Sequence, residues 1–339
     1  MDIVLFNEFD LRIRDHEPLY MAHKNGRKLI HMFIWDCNWD NKTENNIQIM
    51  GKFKKKFLKE SLINLSTNLS KLGIILNIFF GDTNQILNQL IKKYQVENIY
   101  THYNEFPKNL NIQININKYW NSSMHHIDDL SFSFDKLPSN YNLFKKSINF
   151  KIREEFFLEP SNCSIKLDES IKIDDIDIEK CKNTYYGGED FAWTKLKEYF
   201  FNEKKLNNYK SYRNSFINEL NLGPWIDFGC ISVKSIFFQL KIYKKYYSKN
   251  ESTYLFWNDL LIKDYYKFKF VKFKEQMFLQ NGFTNKRCTY SANLITFKKL
   301  CDAQTGIPLI DSIILEMNNT GLISNLSKLL IASFIVNDL

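Results

Sequence analysis

The sequence predicts an N-terminal α/β domain with a doubly wound parallel sheet, followed by an all-α domain. Two observations predict this order. Over the first 130 residues, short apolar runs alternate with helical patterns, whereas only helical patterns occur from Gly187 onward. A stretch of weak periodicity separates the two parts. We therefore expect an α/β domain at residues 1–130, a connector at residues 131–180 and a helical domain at residues 181–339.

Continuous apolar runs predict the strands of the first domain, because strands buried on both faces of a parallel sheet lack polar alternation. Leucines at three- and four-residue steps predict an amphipathic helix over residues 57–72, which Gly73 ends as a C-cap. A second helix is predicted at residues 86–94. Strand–helix–strand order implies right-handed crossovers and hence a doubly wound sheet. The predicted strands are residues 3–6, 29–35, 74–80 and 97–102.

Pro138, Pro160 and an acidic stretch at residues 168–177 indicate the connector. In the second domain, apolar side chains recur at helical spacing in several segments. Helices are predicted at residues 191–201, 233–247, 256–270 and 308–317.

Composition narrows the class of protein. Hydrophobic residues make up 44% and charged residues 25%, as in ordinary globular domains. The formal charge of +8 favours a polyanionic partner such as nucleic acid, although a mildly basic protein without one explains it equally well. The six cysteines lie singly, so neither a zinc site nor a disulfide framework is indicated. With no targeting peptide and no apolar run of about 20 residues, we expect a soluble intracellular protein with no membrane partner, its compartment left open.

A set of motifs follows one order along the chain. Residues 9–16 read FDLRIRDH, residues 120–130 read WNSSMHHIDDL and residues 137–148 read LPSNYNLFKKSI. Later motifs include GGE at residues 187–189 and TGIPLID at residues 305–311. With these motifs the chain resembles the photolyase/cryptochrome flavoproteins, and in particular the DASH-type cryptochromes. The family has an asparagine at the end of its first motif, where this chain has His16.

The resemblance implies an FAD flavoprotein whose cofactor lies in a cup of helices. In the repair members, light-excited reduced FAD passes an electron to a cyclobutane pyrimidine dimer flipped out of DNA. The expected partner is therefore DNA, single-stranded or damaged, and an active protein would be a deoxyribodipyrimidine photolyase, a carbon-carbon lyase. Blue-light sensing is the other activity of the family. A folate is the antenna chromophore that the resemblance suggests.

Carried over residue by residue, the resemblance assigns catalytic contacts to Asp259 and Asn325. It assigns DNA contacts to Arg213, Lys263 and Lys267, although an ordinary solvated helix face would also explain Arg213. No metal site is expected, since the adjacent His125 and His126 point in opposite directions in an extended chain. Cofactor contacts are assigned to Tyr209, Gly223, Asp259, Lys263, Asn325 and Lys328.

Several of these positions depart from the family pattern. The phosphate-binding loop reads ELNLG at residues 219–223, without Ser or Thr, and places Glu219 near the diphosphate. Ile262 replaces the tryptophan on which a flipped dimer stacks, an interaction of roughly 1–3 kcal/mol per base. Leu322 occupies a position where family members commonly carry an aromatic residue. An aspartate that the family pairs with the arginine at the position of Lys328 would lie beyond Leu339. We expect a C-terminally truncated, divergent member in which the isolated chain binds FAD weakly.

Three hypotheses follow from the sequence. The first is a working DASH-like photolyase or photoreceptor whose missing C-terminal part comes from a separate polypeptide or is absent only from this sequence. The second is a non-catalytic, flavin-poor protein that binds nucleic acid or another partner. The third is a truncated or decayed family member. Basic and aromatic residues at 52–57, 241–249 and 263–274 are candidate DNA-facing surfaces, although solvated helix faces explain them equally well.

Overall fold

The N-terminal part of the protein is a five-stranded parallel sheet with the strand order β3-β2-β1-β4-β5. Because β1 lies in the middle and the chain winds outward in both directions, the sheet is doubly wound, as predicted. The strands are β1 (Asp2–Phe6), β2 (Leu29–Asp36), β3 (Leu76–Gly81), β4 (Asn98–His102) and β5 (Asn115–Tyr119).

This architecture comes from a computed structural model. It describes residues 1–43, 47–103, 115–119, 137–138, 140–147, 155–159, 163–179, 181, 185–216, 222–279, 282 and 294–337.

The helices that cover the sheet begin and end at identifiable signals. In α1 (Glu17–Lys24), the N–H of Leu19 donates to the ring of His16, which caps the helix. The C-cap of the long helix α2 (Lys52–Lys71) is Leu72, one residue before the predicted Gly73, which follows with a positive φ of 76°. The side chain of Asp82 caps α3 (Thr83–Tyr94). These caps fix where the chain enters and leaves the sheet.

The second part of the protein is helical, which confirms the predicted order of an α/β part followed by helices. Before it, the short helix α4 (Tyr141–Ser147) lies within the predicted connector and packs on the helical part. The helices of the second part are α5 (Glu189–Lys197), α6 (Tyr209–Arg213), α7 (Gly223–Asp227), α8 (Val233–Tyr246), α9 (Glu251–Phe273), α10 (Leu294–Cys301), α11 (Pro308–Thr320) and α12 (Asn325–Asn337).

Part of the predicted connector is packed against the sheet. Ser164 forms a bridge with Leu29, the first residue of β2, and Leu167 is buried. The side chain of Asn77 donates to the carbonyl of Ile165 and accepts from the N–H of Leu167, at 2.9 and 2.8 Å. Residues 163–179 therefore act as an added layer on the sheet, while the domain boundaries themselves stay predictions.

One apolar core joins the sheet to the helical part. Phe57 of α2 packs on Phe228 and Trp225, with ring centroids 5.0 and 5.9 Å apart. The FDLRIRDH segment adds polar contacts: the Arg12 guanidinium donates to the carbonyl of Gly229 at 3.0 Å. These contacts hold the two parts in a fixed relation.

By length and composition, no single helix in the described ranges could cross a membrane. Only α11 and α12 together pass that test, as a pair bent by 119°.

Candidate functional site

Three of the residues predicted to form the site meet in one hydrogen-bonded cluster. Tyr209 and Arg213 lie four residues apart on α6 and therefore share a face. Both reach Asp259 on α9: the Tyr209 hydroxyl donates to Asp259 Oδ2 at 2.9 Å. The Arg213 guanidinium donates to Oδ2 at 2.7 Å and to Oδ1 at 3.2 Å, a two-pronged ion pair.

Burial and the neighbouring charges set the protonation states of Tyr209 and Arg213. Burial, reinforced by the charge of Asp259, raises the pKa of Tyr209, so its phenol stays neutral at physiological pH. The hydrogen bond to Asp259 raises the pKa of Arg213. The Tyr209 ring packs edge-on against Phe256, with centroids 5.1 Å apart. The charges of Arg213 and Asp259 thus balance each other, and the cluster packs on the ring of Phe256.

Lys263 lies one helical turn beyond Asp259 on α9. Its ammonium group forms an ion pair with Asp227, the last residue of α7. Gly223, another predicted cofactor contact, is the first residue of α7. The ion pair therefore ties the helix that follows the predicted phosphate loop to the helix that carries Asp259. Lys267 lies a further turn along α9 and is half-buried.

A cavity of about 270 Å³ adjoins these elements. Aromatic side chains of α2 and of the segment around α7 form much of its wall, and the turn between α11 and α12 closes one side. That turn contains Leu322, the position where the family commonly has an aromatic residue. The lining residues are Phe53, Lys54, Phe57, Tyr185, Pro224, Asp227, Phe228, Thr320, Gly321 and Leu322.

Asn325 and Lys328 lie in the first turn of α12, which the Ser324 hydroxyl caps by accepting from the N–H of Ser327 at 3.0 Å. Both side chains are exposed. Within the described ranges, neither side chain forms a hydrogen bond or ion pair with the Tyr209–Arg213–Asp259 cluster. Their assigned roles, like those of the other site residues, stay predictions. Glu219, His125, His126 and the WNSSMHHIDDL motif lie outside the described residues.

A second polar cluster, which sequence patterns did not predict, lies under the FDLRIRDH segment. Asp10 Oδ2 accepts from His102 Nδ1 at 2.8 Å, although the two residues are 92 positions apart. His16 Nε2 lies 3.5 Å from the same oxygen, and all three side chains are buried. Burial by itself would raise the pKa of Asp10, but hydrogen bonds from the two histidines lower it. Only the family motif could have signalled that Asp10 matters.

These three side chains are close enough together to ligate a metal ion. However, His16 Nδ1 accepts the N–H of Leu19 at 3.1 Å, so the proton of the neutral ring must lie on Nε2. Nε2 is the atom that would have to bind the ion. We therefore interpret the cluster as a buried carboxylate held between two neutral imidazoles.

Replacing Asp259 by alanine should lower the free energy of unfolding by about 1–3 kcal/mol, because the Tyr209 hydroxyl and the Arg213 guanidinium lose their half-buried acceptor. The matched control is Asp227→Ala. The side chains of Asp227 and Lys263 are 64% and 36% exposed, so this change should cost less than about 1 kcal/mol. Urea unfolding of both variants measures the difference. Equal losses would contradict a structural role for the Asp259 cluster.

A doubly wound parallel sheet followed by a helical part is the architecture of the photolyase type that the resemblance implies. Comparisons with known proteins agree. The sequence profile of the DNA photolyase family matches residues 3–156, and the profile of the FAD binding domain of DNA photolyase matches residues 254–339. The chain belongs to the photolyase/cryptochrome family.

DASH cryptochromes are among its relatives. The chain is 30% identical to Cryptochrome DASH of Synechocystis sp. (PCC 6803), over 97% of this chain and 73% of that protein. It is 28% identical to the chloroplastic/mitochondrial Cryptochrome DASH of Arabidopsis thaliana, over 99% of this chain and 64% of that protein. The crystal structure of the Synechocystis sp. PCC6803 cryptochrome superposes with a TM-score of 0.90 at 28% identity, covering 98% of this chain and 74% of that one.

These matches favour a flavoprotein of this family over the alternative of a non-catalytic interaction protein. They also support FAD as the cofactor, because the profile of the FAD binding domain matches residues 254–339.

Proposed function

We propose that the chain forms the larger part of a DASH-type flavoprotein that repairs cyclobutane pyrimidine dimers in single-stranded DNA under light, or senses blue light with the same flavin. The observation that carries this proposal is the cluster of Tyr209, Arg213 and Asp259. These residues come from α6 and α9, and the family places them at the flavin and the lesion. Their contact supports the family roles because no local sequence rule would bring them together.

The cavity beside α7 adjoins the residues assigned to FAD but is not lined by them: Pro224 follows Gly223, and Asp227 pairs with Lys263. Small-molecule sites commonly have volumes of about 300–1,000 Å³, so a cavity of about 270 Å³ can take one ring system rather than a whole dinucleotide. We assign Tyr209, Gly223, Lys263 and Lys328 to holding FAD. When bound, FAD would supply the light-absorbing electron donor. To bind a phosphate of FAD, Lys263 would have to break its ion pair with Asp227. The free energy lost in breaking that pair weakens FAD binding by the isolated chain.

The exposed apolar surface of α10–α12 supports a requirement for further polypeptide. Ile295, Leu329 and Val336 are 73%, 62% and 61% exposed, which is unusual for a free surface. The chain spans 73% of the length of its Synechocystis relative. We propose that this surface is covered by the rest of the family's flavin domain, carried by a longer form of the chain or by a separate polypeptide.

On the DNA side, we assign phosphate contacts to Arg213 and Lys267 and base contacts to Asp259 and Asn325. Ile262 would offer a flipped dimer an aliphatic wall in place of an indole, so lesion affinity should be weak. A folate antenna remains a proposal that rests on the resemblance.

The decisive test compares FAD binding by the chain alone and by the chain mixed with a polypeptide equivalent to the remaining part of the Synechocystis relative. We expect weak binding alone and a clear gain of yellow colour and thermal stability in the mixture. Repair of a thymine dimer in a single-stranded oligonucleotide under blue light should follow the bound flavin, and Asp259→Asn should reduce it.

Asp227→Asn is the matched control, since it should free Lys263 and leave FAD binding unchanged or stronger. If the mixture stays colourless, the flavin proposal fails. Adding a folate and recording near-ultraviolet absorbance on the protein tests the antenna separately.

A further inference from the structure

The end of α8 and its neighbours carry several lysines. In the part of the chain that the structure describes, none of these ammonium groups forms an ion pair. The nearby carboxylates are already engaged, Glu203 by Lys205 at 3.0 Å and Glu251 by Lys210 at 2.8 Å. The unpaired lysines are Lys204, Lys241, Lys244, Lys245 and Lys249; with Tyr246 and Tyr247 we name them the α8 patch.

The two tyrosines give this patch exposed aromatic faces. Tyr246 is 68% exposed and Tyr247 is 48% exposed. Tyr247 stacks on the buried ring of Tyr243, with centroids 5.3 Å apart and an interplanar angle of 17°. Two lysines lie over these rings: Lys204 is 5.3 Å from the centre of Tyr247, and Lys245 is 5.0 Å from that of Tyr246. Rings and cations are therefore interleaved, and Tyr246 is the more exposed of the two rings.

The positive charge of the patch is not neutralised from within the described chain. Lys244 is half-buried, and both burial and the neighbouring charge of Lys249 lower its pKa. Lysines in the last turn of a helix also compensate the helix dipole, which accounts for Lys244 and Lys245. That explanation covers neither Lys204, which precedes α6, nor the exposed tyrosine rings.

A basic surface with exposed aromatic rings is the combination that binds single-stranded nucleic acid, because cations follow the phosphates while rings stack on bases. We propose that the α8 patch binds a single-stranded polynucleotide, DNA or RNA, independently of light, flavin and lesion. Helix α9 starts beside the patch at Glu251 and reaches Asp259 about 12 Å further along its axis. The patch thus shares no residue with the candidate flavin site and does not rest on the function proposed for it.

The test is fluorescence anisotropy in the dark with undamaged 20-nucleotide oligo(dT) and oligo(U), using the full chain. Lys245→Gln/Lys249→Gln should lower the slope of log affinity against log salt by about 1.4, at roughly 0.7 per lysine on a single strand. Tyr246→Ala should weaken binding at least about fivefold, whereas Tyr246→Phe should bind like the unaltered protein. The matched control, Lys298→Gln/Lys299→Gln, removes the same charge from an exposed stretch of α10 and should change the slope little.

Equal effects of the two lysine pairs would overturn the proposal, because binding would then follow net charge alone. Unchanged binding by Tyr246→Ala would overturn the stacking contact. A preference for phosphatidylserine vesicles over both oligonucleotides would overturn the proposal that the ligand is a nucleic acid. Comparing oligo(dT) with oligo(U) distinguishes the two sources of the ligand. If light-driven repair is absent while dark binding shows the expected pattern, the function proposed for the flavin site fails and this inference stands.

Discussion

Gly229→Ala is expected to destabilise the protein by about 3–5 kcal/mol, one of the largest effects of any single substitution in the described chain. A Cβ atom at this position would lie 1.9 Å from the carbonyl oxygen of Phe9 and 2.6 Å from the Cα of Asp10. Both are backbone atoms, so no side-chain rotation can relieve the clash. The φ of Gly229 is also positive, at 60°, which alone costs a residue with a side chain about 1–2 kcal/mol.

The size of this effect reflects what the close approach holds together. The N–H of Leu11 donates to the carbonyl of Phe228 at 3.1 Å, and Arg12 donates to the carbonyl of Gly229. An added methyl group would separate the FDLRIRDH segment from the helical part and break both contacts. Urea unfolding should show a lower midpoint, and limited proteolysis should cut more readily between the two parts.

Gly306→Ala is the matched control. Gly306 also has a positive φ, at 82°, but a Cβ there would meet nothing within 4 Å. This variant should therefore lose only the backbone term of about 1–2 kcal/mol. If the two variants lose the same stability, the close approach at Gly229 contributes nothing beyond its backbone angle.

The fold could be predicted where burial dictates composition. The runs at residues 3–6 and 29–35 are apolar because β1 and β2 are buried on both faces. The edge strand β5 escaped prediction because NINKY is polar and only partly buried, so it lacks that pattern. The helix α1 was also missed: it is short, and its cap is a histidine ring rather than one of the usual capping residues.

The candidate site could be predicted only through the family resemblance. That resemblance assigned Tyr209, Arg213 and Asp259, and the structure joins them. It gave no sign that Lys263 would pair with Asp227, because that contact depends on how α7 packs against α9. The same holds for His102 and Asp10, which meet only because β4 lies beside β1 in the sheet.

The burial of His102 makes the stability of the protein depend on pH, although its hydrogen bond to Asp10 acts in the opposite direction. Burial, reinforced by the charge of His16, lowers the pKa of His102 to about 3. In the unfolded chain this ring titrates near 6.5. Between these values the unfolded state binds more protons than the folded state, so His102 contributes stability above pH 6.5 that is lost as the pH falls toward 3. The expected loss from this ring is about 1.4 kcal/mol per pH unit within the window.

Glu189 acts in the opposite direction. Burial raises the pKa of its carboxyl to about 7, although the N–H groups of Ile13 and Arg14 donate to it. The folded state then binds more protons than the unfolded state between about pH 4.5 and 7. The stability that Glu189 contributes is fully present below pH 4.5 and is lost as the pH rises through 7. The two groups therefore oppose each other between about pH 4.5 and 6.5.

Two substitutions separate these contributions. His102→Gln keeps an N–H donor near Asp10 and should remove the uptake of about one proton on unfolding between pH 6.5 and 5. The free energy of unfolding of this variant should therefore rise by about 2 kcal/mol relative to the unaltered protein over that interval. Glu189→Gln should lose a similar amount and make the protein more sensitive to acid. Urea unfolding at half-unit steps of pH gives both slopes. Parallel curves for the two variants would mean that neither group titrates as its burial requires. Slopes of opposite sign relative to the unaltered protein would establish His102, beside Asp10, and Glu189 as opposing determinants of its acid stability.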